Sequence, residues 1–230
     1  MPDLDFGVID AEVLPFAAGP TLLFKVRIRN AAQGEHVHSI MLRTQIRIEA
    51  TRRHYGAAAE ARLLEVFGEP HRWGETLRSF LWTHVSTIVP QFGESIVAEL
   101  PVVCTYDFEV AAAKYFYALD DGEAPLLFLF SGTVFYRSEG ASLQITQIPW
   151  EKEAQFRLPV RTWREMMDRY FPNSAWLRLR KDVFDRLYSY RAQRALPTWE
   201  ATLEDLLQGH PEGDPQGHPE GAPVKRADAP

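Results

Sequence analysis

The feature that most constrains this chain is a strict two-residue alternation near its start. From Leu22 to Asn30, Leu22, Phe24, Val26 and Ile28 alternate with Leu23, Lys25, Arg27 and Arg29. Successive side chains of a strand point to opposite faces, so the spacing predicts a strand with one buried face. The period returns after a loop over Ala31 to His36. Ile40, Leu42, Ile46 and Ile48 then share one face, and Ser39, Arg43, Gln45, Arg47 and Glu49 share the other. The two runs are expected to pair as an antiparallel hairpin. Phe6 to Phe16 adds an edge strand that ends at Pro15 or Pro20.

Beyond the hairpin the period changes. Ala59, Leu63, Val66 and Phe67 have helical spacing, and Gly68 stands where a helix C-cap belongs. Trp73 to Pro90 has no clean period: its first part reads as a helical turn, and Phe80 to Val89, which is β-branched, reads as a strand. Ser95 to Tyr106 reads as another, and Pro101 within it points to an edge or a bulge. Asp107 to Leu119 and Pro125 to Arg137 flank the turn Asp120-Asp121-Gly122-Glu123 and are expected to form two arms. Leu126 to Tyr136 is apolar on both faces and belongs at the centre of a sheet. Gly132 within it predicts a bulge or a close backbone approach. Ser142 to Ile148 is a short strand.

From Pro159 the pattern turns helical. Val160, Trp163, Met167 and Tyr170 mark one helix face, which Pro172 ends. Trp176, Leu177 and Leu179 read as a brief extended piece. Asp182 is expected to cap a helix through Phe184, Leu187, Tyr188 and Arg191, and Thr198 a last helix to Leu207. Gly209 to Pro230 twice repeats Gly-His-Pro-Glu-Gly and is nearly free of apolar side chains, so it is expected to be a disordered tail. The organisation expected is one α+β domain over residues 1–208, with an antiparallel sheet and C-terminal helices packed on it.

Composition narrows the function class. The chain has 230 residues and net charge −6, which argues against nucleic-acid binding through general electrostatics. A single cysteine, Cys104, excludes an internal disulfide and thiolate zinc sites with several cysteines. The first ten residues lack the basic and apolar regions of a signal peptide, and no apolar run reaches the length of a membrane span. A cytoplasmic protein is expected.

Catalytic signatures are sparse. Glycine-rich phosphate loops and the Gly-x-Ser-x-Gly elbow are absent. Cys104, with His84 as base and Asp107 as orienting acid, has the residue types of an activated thiol. The flanking Val102 and Val103 favour a core thiol instead. His36 and His38 could place two imidazoles on one strand face, but no third ligand is near. His210 and His218 lie in the tail. The pairs Asp120-Asp121 and Glu151/Glu153 sit at turns, where acids are common. No catalytic residue, metal or cofactor is expected.

Two patterns point to binding. Lys25, Arg27, Arg29, Arg43 and Arg47 share one face if the two strands pair, a basic surface suited to an acidic partner. The alternative is neutralisation by Glu49, Glu99 or Glu109. An aromatic set that includes Trp150, Phe156, Trp163, Phe171, Trp176, Phe184 and Tyr188 brackets the change from sheet to helix. Most of it reads as core, and an exposed share led by Trp150, Trp163 and Trp176 would line a groove for a partner polypeptide.

Two resemblances add to these readings. Ile148-Pro149, Phe156, Pro159, Arg161, Phe171-Pro172, Leu177, Leu179, Phe184-Asp185 and Leu187 resemble the pattern of the SecB export chaperone. That resemblance implies a helix-backed antiparallel sheet, often oligomeric, that holds non-native polypeptide. The whole chain, above all Cys104 to Val110 and Phe130 to Tyr136, resembles an uncharacterised actinobacterial family often encoded beside nickel–iron hydrogenase genes. This implies an accessory to hydrogenase assembly, with a hydrogenase subunit as protein partner. The combined expectation is a non-enzymatic binding or assembly protein. A structural subunit of a larger complex and a general export-type chaperone are the alternatives.

Overall fold

The computed structural model describes residues 1–32, 34–105, 107, 110–138, 142–174 and 177–208. By its internal contacts the chain divides into two compact units, Met1–Leu177 and Arg178–Pro230. In the first unit, strands β1 (Leu4–Val13), β2 (Thr21–Asn30) and β3 (Glu35–Ile48) precede helix α1 (Ala57–Phe67) and the short helix α2 (Trp73–Thr76). Strands β4 (Phe80–Val89) and β5 (Ser95–Val103), helix α3 (Ala111–Ala118) and the long strand β6 (Glu123–Ser138) follow. Strands β7 (Gln144–Gln147) and β8 (Glu153–Pro159) and helix α4 (Val160–Tyr170) complete it.

The strands form two antiparallel sheets. One has the order β1-β2-β5. The other runs β4-β3-β6-β7, and β8 pairs with the first half of β6 while β7 pairs with its second half. The expected single sheet is therefore corrected to two, and β2 and β3 do not form a hairpin. The reason lies in their apolar rows. Paired side by side, both rows would lie on one sheet face and need a separate cover. In opposed sheets they cover each other, and Leu22, Phe24, Val26 and Ile28 are buried together with Ile40, Leu42, Ile46 and Ile48. Phe24 meets Phe128 at 5.1 Å between ring centroids, and Phe6 stacks on Phe130 at 4.6 Å. Asn30 fixes the crossing between sheets: its amide donates to the Glu35 carbonyl at 2.8 Å and its Oδ1 accepts from the N–H groups of Asp3 and Ala32.

Several local expectations hold. Gly68 ends α1 at φ 73°, with its N–H on the Leu64 carbonyl at 2.8 Å. Pro101 lies on β5, an edge strand, opposite Leu23. Strand β6 is central. Other segments differ. The expected arm at Asp107 to Leu119 contains helix α3, because Ala111-Ala112-Ala113 favour helix and Tyr115 and Phe116 are both buried. Tyr115 stands edge-on to Phe67 and Phe80. Strand β8 was not expected, although Ala154, Phe156 and Leu158 alternate with Glu153, Gln155 and Arg157. Of the C-terminal helices, α4 packs against β1, β2, β8 and α3 through Val160, Trp163, Met166 and Met167.

The second unit contains α5 (Lys181–Gln193) and α6 (Trp199–Gln208). Phe184 and Tyr188 pack around Trp199, and the Arg191 guanidinium lies 4.8 Å from the Trp199 ring centre. Asp205 accepts from Tyr190 and pairs with Arg194 at 3.1 Å. Thr198 Oγ1 accepts the Ala201 N–H, the capping expected of it. Asp182 lies inside the first turn of α5, two residues past the cap residue Arg180. The expected tail, residues 209–230, lies outside the described residues.

Candidate partner-binding face

Each sheet buries one face and exposes the other, and the two exposed faces differ in chemistry. On the three-stranded sheet Lys25, Arg27 and Arg29 point outward from β2. Their cross-strand neighbours include Asp10 and Glu99 beside Lys25 and Asp5 beside Arg29. Lys25 Nζ lies 3.0 Å from Glu12 and 3.4 Å from Asp10. The hydrogen bond to Glu12, seconded by Asp10, holds its ammonium above the usual lysine range. Lys25 thus carries its own counter-charges, whereas Arg27 stands between Gly7 and Val97 and has no ion pair among the described residues.

Arg43 and Arg47 point outward from β3, on the other sheet. The basic cluster read as one surface is thus split three and two between opposite sides of the sandwich, a direct consequence of β2 and β3 joining different sheets. Arg47 donates to the Ser79 carbonyl and hydroxyl at 3.3 and 2.9 Å. Arg43 lies between Ser86 on β4 and Ser131 on β6. Its guanidinium has no ion-pair partner among the described residues.

Around Arg43 the five-stranded sheet exposes apolar side chains in register. Ile88 is the cross-strand partner of Met41, and Phe135 of Ile145. Ile88, Ile145 and Met41 are 73%, 63% and 57% exposed, and Phe135 is half-buried. Below Arg43, Leu129 stands opposite Gln45 and Leu127 opposite Arg47, both half-buried. Exposed apolar side chains that adjoin one another mark interaction surfaces more often than scattered ones do. Met41 was legible as an apolar residue in the polar phase of β3. Ile88, Phe135 and Ile145 required knowledge of which strands pair.

The aromatic candidates separate as well. Trp150 is 90% exposed on the turn between β7 and β8. Trp163 is core, 3% exposed and stacked on Phe116 at 5.4 Å, so it cannot meet a partner. A position on the buried stripe of α4 explains this. Trp176 lies outside the described residues. Phe156 packs on Phe24 in the core.

The structure does not assemble the thiol constellation. His84 is exposed on the outer face of the five-stranded sheet, opposite Gln45. Cys104 is buried at the end of the other sheet, its N–H on the Pro20 carbonyl. Burial pushes its thiol up to about 12, far from a nucleophile's range. His36 and His38 line a hollow of about 420 Å³ with Gln91 and Arg137. Among the described residues no three His, Cys, Asp or Glu side chains converge as metal ligands would. Asp120 is structural: Arg62 of α1 and Arg164 of α4 both pair with it. His210 and His218 lie outside the described residues. No described helix is long and apolar enough to cross a membrane.

Comparison with known proteins adds a family and little else. No curated protein matches the sequence. Among solved structures, a CARDB domain from Pyrococcus furiosus, crystallised in complex with di-metal ions, is similar at 13% identity. It covers 69% of this chain and 92% of its own, with a TM-score of 0.27. A protein described as ApaA from Bordetella pertussis is similar at 12% identity, over 68% of this chain and 93% of its own, with a TM-score of 0.22. Superpositions this loose carry over no property of either protein. A family model matches residues 1–215, and the chain belongs to the family it describes, DUF6084, a family of unknown function.

Proposed function

We propose that this protein is a non-catalytic binding or assembly protein that holds a partner polypeptide on the outer face of its five-stranded sheet. One observation carries the reading: Met41, Ile88, Phe135 and Ile145 form an exposed apolar strip beside Arg43, a cation without a counter-charge among the described residues. Apolar anchors supply affinity at protein interfaces and an uncompensated charge supplies orientation. A hydrogenase subunit is the partner that the sequence resemblance suggests. The separation of Cys104 from His84, which lie at different sheets, favours binding over thiol chemistry.

The test is capture from the native cell on tagged protein, analysed by mass spectrometry, with light scattering on the purified chain. One folded partner at fixed stoichiometry supports a dedicated assembly or subunit role. A broad mixture of non-native chains on an oligomer supports the export-type chaperone reading instead. Capture of nothing above background removes both.

A further inference from the structure

Resting on the reading above, we infer that the open edge of β4 takes an extended segment of the partner by strand addition, and that Arg43 reads an acidic side chain on that segment. The sheet ends at β4, and no described strand pairs beyond it. Its inward side chains Trp82 and Val85 are only half-buried, whereas Ile40, Leu42 and Ile46 on the neighbouring β3 are buried. An exposed edge offers a row of unpaired N–H and C=O groups, and proteins ordinarily blunt such edges with charge, proline, bulges or shortness.

The other edges of this molecule are blunted in those ways. Strand β1 carries Asp5, Asp10 and Glu12 and a register break between Val8 and Asp10. Strand β5 carries Glu99 and Pro101. Strand β7 has four residues, and β8 carries Glu153, Arg157 and Pro159. Strand β4 runs ten residues, Phe-Leu-Trp-Thr-His-Val-Ser-Thr-Ile-Val, without Asp, Glu, Lys, Arg, Pro or Gly, and its own register shift, at Trp82, leaves Thr83 to Val89 in unbroken register. Edge-strand addition is a recurrent mode of peptide recognition, in which main-chain bonds give affinity and alternate side chains give specificity.

Register sets the chemistry of the segment. Ser86 is the cross-strand neighbour of Arg43, and its small side chain leaves the guanidinium a path toward the edge. A strand added beside β4 lies two strand spacings from β3, about 10 Å, a span that arginine and glutamate side chains bridge between them. An acid on the level of Ser86 therefore meets Arg43. Two residues along, at the level of Ile88 and Met41, an apolar side chain continues the exposed strip. On the inward side, β-branched residues cover Val85. The occupant is an apolar, β-branched extended segment with one central carboxylate.

The experiment uses the full chain and a labelled ten-residue peptide of alternating valine and threonine with one central glutamate, read by fluorescence anisotropy. Binding is expected, and it should weaken at least tenfold when the glutamate becomes lysine and when the peptide's edge-facing amides are N-methylated. S86K, which puts charge on the edge without touching the core, should weaken it similarly. R43E should restore binding of the lysine peptide. Absence of binding, equal binding of both peptides, or indifference to N-methylation overturns strand addition. A dimer in solution that S86K dissociates also overturns it, since a second copy would then fill the edge. Because cellular capture is scored separately with Met41→Glu, a partner lost by that variant but kept by S86K would leave the face reading standing without the edge.

Discussion

Gly132 of β6 is packed so closely on Met41 of β3 that a Cβ built on it would overlap the Met41 carbonyl oxygen and lie 3.1 Å from the carbonyl carbon. Its φ of 138° is one that residues with side chains rarely adopt. The clash is with backbone at the centre of a sheet, where nothing can rotate aside. Gly132→Ala is expected to cost about 3 kcal/mol or more, at or beyond the upper end of overpacking changes. Urea denaturation measures it; an unchanged midpoint would contradict the close approach.

Thr44 poses the opposite case. It points inward from β3, fully buried, and its hydroxyl has no hydrogen-bond partner among the described residues. A buried polar group without a partner destabilises. Thr44→Val keeps the shape and removes the hydroxyl, and it is expected to raise stability by about 1 kcal/mol. A comparable loss in the same assay would mean the hydroxyl is satisfied in solution.

Burial raises the proton affinity of Cys104 and of the hydroxyl pair Tyr55 and Tyr115, whose oxygens lie 3.1 Å apart. The unfolded chain releases these protons at ordinary values, near 9.0 for the thiol and 10.0 for tyrosine. Above pH 9 the unfolded state therefore binds fewer protons than the folded one, and stability falls as pH rises. The cysteine share is lost between pH 9 and about 12. Denaturation midpoints from pH 8 to 12 should decline with this onset, and the decline should be shallower in Cys104→Ala. A flat profile to pH 11 would contradict it.

Asp120 gives the acid counterpart. A hydrogen bond from Arg62, with Arg164 close by, holds its carboxyl below the usual carboxylate range. A lowered folded value means the contribution is present above the unfolded value near 3.8 and lost as pH falls through the folded one. Asp120→Asn is expected to lower the thermal midpoint at pH 7, and its difference from the parent is expected to shrink as pH falls below 3.8. Equal midpoints at pH 7 would show that the tie between α1 and α4 contributes nothing.

Much of the fold was legible because period two and period 3.6 are local. The strands at Leu22 to Asn30 and Phe80 to Val89, helix α1 with its Gly68 cap, and the buried stripe of α4 each follow from spacing alone. Partnership is not local. Whether the apolar rows of β2 and β3 lie side by side or face to face depends on what covers them, and the alternation is the same either way. That ambiguity misplaced the basic cluster and hid the apolar strip, since Met41 gains Ile88 as a neighbour only through the pairing of β3 with β4. Helix α3 was misread because Tyr115 and Phe116, buried on adjacent positions, suit a central strand as well as an enclosed helix.

The sandwich puts Arg27 and Arg43 on opposite outer faces, and this separation allows the most direct test of the docking claim. Tagged wild type, Met41→Glu, Arg43→Glu and Arg27→Glu would be compared in capture from the native cell, with circular dichroism confirming that each is folded. All three substitutions lie on exposed positions, where stability changes are small. The account predicts that the partner held by wild type is lost or reduced at least tenfold with Met41→Glu and Arg43→Glu and retained with Arg27→Glu. Retention with Met41→Glu and Arg43→Glu, or loss with Arg27→Glu alone, would contradict it.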